Sequence, residues 1–259
     1  MRRKVVLITT LCVLVGAASA FAASNVYTGS NMSFSKGSGS SGKPVGVSFK
    51  QTLAATNTDA TKAAAVLVNI KTRIYGLRTD GKDFPTCSPA RMVALKSDSF
   101  CPTKSKAATG LVNSALGDPS LTKSSRIPCN PNLDVFNGGS GKLWFFFTTH
   151  TATQCAGLRT GATAPYLGTI SYQGKYQVTN IPLPADISTR VADHANFYGS
   201  LIHETLSFFK YAARVHGKTI YNNQSIGCLH GKRPWSITYT ATTNGADRQV
   251  STVSGAAKC

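Results

Sequence analysis

The sequence predicts an all-β protein: an antiparallel β-sandwich, stapled by disulfides, with little helix after a signal peptide. Three observations carry this. Short segments alternate apolar and polar residues and are separated by glycine- and asparagine-rich turns. Glu204 is the only glutamate, and Thr, Ser, Gly, Val and Tyr abound, a composition that suits strands and turns better than helices. Six cysteines remain once the leader is removed, an even number that reads as a disulfide framework in an exported chain.

The leader is read from Met1-Arg2-Arg3-Lys4, the apolar run over 5–20, and Ala20-Phe21-Ala22. A basic head, a short hydrophobic stretch and small residues before the cut make a secretory signal peptide over 1–22. The Arg2-Arg3 pair continues as Lys4-Val5-Val6, a poor fit to twin-arginine export, so the general route is expected. Cys12 leaves with the leader; Cys87, Cys101, Cys129, Cys155, Cys228 and Cys259 stay. Residues 23–259 are read as one sandwich domain, a length that a single all-β domain fills. Two packed subdomains, 23–165 and 166–259, are the alternative division. No later segment is apolar for long enough to span a bilayer, so the mature chain is expected to have no transmembrane span.

In chain order, residues 26–55 read as strand, loop, strand. Val45, Val47 and Phe49 share one face, and Gly37-Ser38-Gly39-Ser40-Ser41-Gly42 forms the loop before them. Residues 56–64, rich in Ala and Thr, suggest a short helical turn. Val66, Val68 and Ile70 alternate with Asn69 and Lys71 toward Ile74, the pattern of a half-buried strand that ends at the Asp80-Gly81 turn. Residues 84–110 read as a cysteine-anchored loop, because its prolines oppose central-strand pairing. Leu133 and Val135 precede the turn Asn137-Gly138-Gly139-Ser140-Gly141. Leu143-Trp144-Phe145-Phe146-Phe147 follows, apolar on both faces and so expected between two layers. Strands over 167–172 and 176–181 end at Pro182 and Pro184. The segment 190–215 carries mixed periodicity and is assigned a strand over 200–215. Trp235, Ile237 and Tyr239 alternate with Ser236, Thr238 and Thr240; Asn244-Gly245 turns the chain, and 250–253 returns.

The formal charge is +18, and removal of Arg2, Arg3 and Lys4 leaves +15. Only ten residues are acidic. The basic residues are dispersed and form no tail. Outside the cell such a charge suits an anionic partner: a cell-wall polymer, an acidic glycan or a lipid surface. Nucleic acid is the weaker candidate, since an exported protein rarely meets it.

Sites for chemistry are sparse. The chain has no C-x-x-C motif, and cysteines that are all bridged offer no thiolate. His203-Glu204 starts like a metalloprotease helix, but Ser207 stands where the second histidine belongs. Gly217-Lys218-Thr219 ends like a phosphate-binding loop, but Ala212 replaces its first glycine. There is no Gly-x-Ser-x-Gly elbow, and Asp80 and Asp83 sit in a segment too short for a calcium loop. The expectation is therefore no catalytic residue, no cofactor and no metal. Glu204 with Asp186 or Asp193 is the pair a glycan hydrolase would need. Trp144 and Trp235 are candidate stacking platforms for a carbohydrate- or lipid-binding module.

Several short motifs resemble a recurring pattern in exported, uncharacterised actinobacterial proteins. They are Gly76-Leu77, Phe84-Pro85-Thr86-Cys87, and Cys101-Pro102 with Ser105-Lys106 and Thr109-Gly110. Asn137-Gly138 before a hydrophobic strand belongs to the pattern too, as does Cys228 followed by the Trp235 strand and Cys259. The resemblance spans most of the mature chain. It implies a secreted β-sandwich and the pairs Cys87 with Cys101 and Cys228 with Cys259, with Cys129 and Cys155 as the third. The chain departs from the pattern at Val135-Phe136, where a tyrosine is more usual, and the pattern does not specify a partner for Cys155. The residues alone leave the connectivity open. No activity comes with the resemblance. The expected protein is secreted or envelope-associated and non-enzymatic, adhesive or structural toward anionic material. A carbohydrate- or lipid-binding module and a glycan hydrolase stand as the alternatives.

Overall fold

The computed structural model of the chain describes residues 25–118, 120–156, 161–191, 197–243, 245 and 247–259. The leader read over 1–22 and Asn244 of the Asn244-Gly245 turn lie outside them. Eleven strands form the continuous path of the main sheet, numbered here in chain order. They are β1 (Asn31–Phe34), β2 (Phe49–Ala54), β3 (Val66–Tyr75) and β4 (Lys106–Gly117). Then come β5 (Asn132–Asn137), β6 (Lys142–Thr149), β7 (Tyr166–Gln173) and β8 (Tyr176–Pro182). The last three are β9 (Tyr198–Phe208), β10 (Lys232–Thr242) and β11 (Gln249–Lys258).

Neighbours run β1-β2-β9-β4-β5-β6-β7-β8-β3-β10-β11, and each pairing is antiparallel. The two ends of this order, β1 and β11, come together, while β9 and β3 approach each other across the interior. The result is an all-β, near-barrel sandwich. The short β1 lies beside part of the β11 edge, although no ladder joins the two.

Alternation sets the inner face. Trp235, Ile237 and Tyr239 of β10 are buried while Ser236, Thr238 and Thr240 are half-exposed. Ile70 and Ile74 of β3 pack beside them, with Leu53, Leu133, Val135, Phe145 and Leu206. The Tyr239 ring stacks on Tyr27 with centroids 3.8 Å apart, and its hydroxyl lies 2.6 Å from Ser30 Oγ. Register shifts fall between Val135 and Phe136, between Leu201 and His203, and between Thr240 and Ala241. Such bulges raise local twist and bend, which a sheet needs in order to curl back on itself.

β6 is buried on both faces, as its apolar run predicts. Phe145 points into the barrel, whereas Phe146 joins Phe136, Met92 and Cys87 in a second cluster outside it. The cover over that outer face corrects the loop reading of 84–110. It contains a helix, α1 (Pro89–Leu95), whose N-cap Ser88 accepts from Arg91 N at 3.4 Å. The same segment runs into β4, a long central strand paired on both sides. Its prolines all precede Lys106 and so do not interrupt the ladder. The helical turn expected over 56–64 is likewise replaced by a two-residue strand (Thr56–Asn57) and turns. The strand expected over 200–215 is two strands, β9 and Ala212–Val215, parted at 209–211. Asn222 and Asn223 account for the break: both donate to the Phe209 carbonyl, at 3.1 and 2.8 Å, and hold the chain in a turn away from the ladder.

Disulfides join Cys87 to Cys101, Cys129 to Cys155 and Cys228 to Cys259. The first closes the α1 segment on itself. The third fixes the end of β11, where Gly37 N also donates to Cys259 O at 3.1 Å. No helix among the described residues is long and apolar enough to cross a membrane.

Asn137, 6% exposed, ties the outer cover to the barrel. Its Nδ2 donates to the carbonyls of Gly81, Phe84 and Pro85 at 2.8, 3.0 and 2.9 Å, and its Oδ1 accepts from Gly139 N at 3.0 Å. Asn137→Asp removes the donor and sets a carboxylate against three carbonyl oxygens. It should lower stability by roughly 3 kcal/mol in chemical denaturation. A loss below about 1 kcal/mol would show that the cover is held without it.

Candidate functional site

One end of the barrel interior is not filled. A cavity of about 140 Å³ lies between β3, β4, β6, β7 and β9. Its walls are nearly all hydrocarbon: Leu67, Ile70, Val112, Phe145, Ile181 and Leu201. Cys129 and Cys155 line it at the end, beside Val191 and Leu116, with which they form a separate buried cluster.

Into this apolar space projects Glu204, 7% exposed. β9 positions it between Val112 of β4 and Leu53 of β2. A bulge decides which side chain points inward. Leu201 pairs with Ser114 and His203 with Asn113, so Ile202 has no partner in that ladder. The extra residue shifts the alternation by one. Leu201 and Glu204 therefore both face the cavity, while His203 stays half-exposed on the other face. Bulges commonly re-aim a side chain in this way.

The Glu204 carboxyl makes no hydrogen bond or ion pair among the described residues; the ion pairs there are both made by Lys106, with Asp98 and Asp134. Burial alone pushes its pKa up to about 7. Hydroxyl side chains line the same cavity: Tyr166, Thr163, Ser114, Thr148 and Thr149. Tyr166 is 8% exposed, and its hydroxyl titrates well above the ordinary range because of burial and then the nearby Glu204 charge. Thr163 Oγ1 is buried without a hydrogen-bond partner. No Lys, Arg or His lines the space.

Of the residues singled out from sequence, Glu204 is at the site but its expected partner is not. Asp186 does not line the cavity, and Asp193 lies outside the described residues. Among the described residues no second carboxyl faces Glu204, and no three His, Cys, Asp or Glu side chains converge. Trp235 is a core residue at 6% exposure and offers no free ring face, while Trp144 is half-buried against the outer cluster, away from the cavity. Sequence reasoning missed Tyr166 and Thr163. The phase shift at Ile202 has no sequence signature that would have found them. In comparisons with known proteins, the chain matches no family model, no curated protein and no solved structure.

Two buried arginines mark places that are structural. Arg233 is fully buried; it donates to the Gly76 carbonyl at 2.7 Å and to Ser225 Oγ at 2.6 Å, and burial brings its pKa down to about 10. Arg126 donates to Ser200 Oγ and to the carbonyls of Gly117 and Tyr198, at 2.8, 3.1 and 3.0 Å. These groups leave no guanidinium face for a ligand.

Glu204 makes the fold pH-sensitive in a defined direction. The folded chain holds this proton up to about pH 7, the unfolded chain only to about 4.5. Stability should fall as pH rises through that window and level off above it, by roughly 3 kcal/mol relative to Glu204→Gln. Parallel denaturation of both proteins across pH isolates the contribution; equal pH profiles would refute it.

Proposed function

We propose that the protein acts outside the cell as a non-enzymatic binding protein that takes a small apolar molecule into the end of its barrel. The observation that carries this is the hydrocarbon cavity with one unpaired carboxyl aimed into it. Apolar pockets with a few convergent polar groups are the usual form of small-molecule sites. The volume suits one ring or the tip of a short chain, since an apolar cavity of about 150 Å³ is known to take benzene. Three disulfides and the absence of a membrane-crossing helix among the described residues fit an extracellular setting.

Val112 stands beside Glu204, so Val112→Phe fills the space with little change in polarity. Toluene should bind the wild type with Kd on the order of 0.1–1 mM, read by ligand-observed NMR or calorimetry. The variant should lose at least about tenfold. Equal binding by both proteins, or none by the wild type, overturns the reading.

A second reading has its own support. The consecutive strands β7, β8, β3, β10 and β11 carry Lys71, Arg73, Lys232 and Lys258 at exposed or half-exposed positions and no acidic residue. On the outer wall Lys71 and Arg73 share a face, and the Arg73 guanidinium lies 3.3 Å from the Tyr176 ring centroid. This wall suits an anionic polymer or lipid surface of the envelope. Binding to phosphatidylglycerol vesicles should weaken steadily with salt and drop several-fold in Lys71→Glu/Arg73→Glu. Salt-independent binding, or an unaffected double variant, removes this reading.

A further inference from the structure

We infer that the barrel cavity selects a small apolar amine, whose ammonium group docks against Glu204, Tyr166 and Thr163. The inference deepens the cavity reading above and rests on it.

A carboxyl that is 93% buried, unpaired and surrounded by hydrocarbon lowers stability, and a leucine or glutamine would avoid this. Nothing in the fold uses Glu204: it joins no strand through its side chain and caps no helix. The chain nevertheless turns it inward by means of a bulge. A ligand explains such a group if it brings the missing partner.

The chemistry of that partner follows from what lines the space. Glu204 presents carboxylate oxygens, Tyr166 a hydroxyl, and Thr163 an Oγ1 with no hydrogen-bond partner. Ser114, Thr148 and Thr149 add further hydroxyls to the wall, so each of its polar side chains is able to accept. An alkylammonium has three N–H donors and no acceptor, which suits a wall whose polar groups can all accept. The fit is also exclusive. No basic side chain lines the cavity, so a fatty acid or another anion would meet a like charge with nothing to offset it. In most of its surface the protein would attract anions; inside the barrel the sign is reversed. The groups that share an electrostatic field with Glu204 are Tyr166 on β7 and Tyr239 on β10, both neutral over the working range because burial raises them. The volume of about 140 Å³ confines the apolar body to one ring or a chain of comparable size.

Benzylamine, toluene and benzoate share one ring and differ in the head. At pH 8, with Glu204 ionised, benzylamine should bind the wild type at least about tenfold more tightly than toluene, and benzoate should not bind measurably. Glu204→Gln should lose that advantage while keeping toluene affinity, because its cavity is nearly the same size. Near-UV circular dichroism confirms that the variant is folded. If the variant does not fold, the wild-type comparison decides alone. Toluene binding as tightly as benzylamine, or benzylamine binding unchanged in Glu204→Gln, overturns the amine inference and leaves the cavity reading intact. Failure of all three probes to bind the wild type overturns both.

Discussion

The closure of a single antiparallel sheet is the constraint from which the other features follow. A long twisted sheet has two edges, each with unpaired backbone groups. Here β1 and β11 are brought side by side, so that the four-residue β1 shields part of the ten-residue β11 edge. To achieve this the ladders bend at three register shifts, and the ends are fastened by the Cys228–Cys259 bridge and the Gly37–Cys259 hydrogen bond. The interior must then be filled by inward side chains from eleven strands. It is well packed around Trp235, Ile237 and Tyr239, leaves a small void of about 20 Å³ beside Gln51, Thr72 and Gln177, and opens into a larger cavity toward the Cys129–Cys155 end.

Much of this architecture is visible in the sequence, because period-two alternation and a buried face are the same fact seen twice. The strand around Trp235, the one ending at Ile74 and the doubly buried aromatic run 143–147 could all be read this way. Where side chains do not report on burial, the reading fails. β4 begins Lys106-Ala107-Ala108-Thr109-Gly110, small residues that fit a crowded central position. Gly110 is there because any larger residue would strike the Thr205 carbonyl; a Cβ would sit 1.9 Å from it. Small residues near prolines look like loop, and so a central strand was hidden. Helix α1 did carry a signal in Ser88-Pro89, a cap followed by proline at the first helical position, which the surrounding cysteines and prolines obscured. At the candidate site the lone glutamate stood out by composition, but its neighbours did not. A bulge changes which residues share a face without leaving a mark in the residues themselves.

Charge is distributed unevenly between the two sides of the wall. Two guanidinium groups are buried and held mainly by backbone carbonyls and serine hydroxyls, with no carboxylate partner among the described residues. A chain with few acids must satisfy its interior cations with dipoles. Arg233 donates to carbonyl oxygens at the turn after β3 and, through Ser225, to a neighbouring three-stranded sheet; its plane lies 4.8 Å from the centroid of Phe34. It thereby joins β10 to elements that no ladder connects to it. Glu204 stands apart from the other buried carboxyl among the described residues, Asp134, which is paired with Lys106.

The bulge at Ile202 has a consequence for the origin of the void itself. On the near side of the shift Glu204 and Leu206 face inward; on the far side Leu201 and Gly199 do. Had the strand kept an even beat from Leu206 onward, Tyr198 and Ser200 would occupy the inner positions, and a phenol ring would plug the chamber. Gly199 stands there instead, so close to the Ile187 carbonyl that even a methyl group would lie 2.7 Å from it. The hollow is thus a matter of phase as well as of composition: the same amino acids, counted one step differently, would present other side chains to it. A lineage could re-face this wall by gaining or losing a single codon at the bulge, without substituting any other residue of the strand.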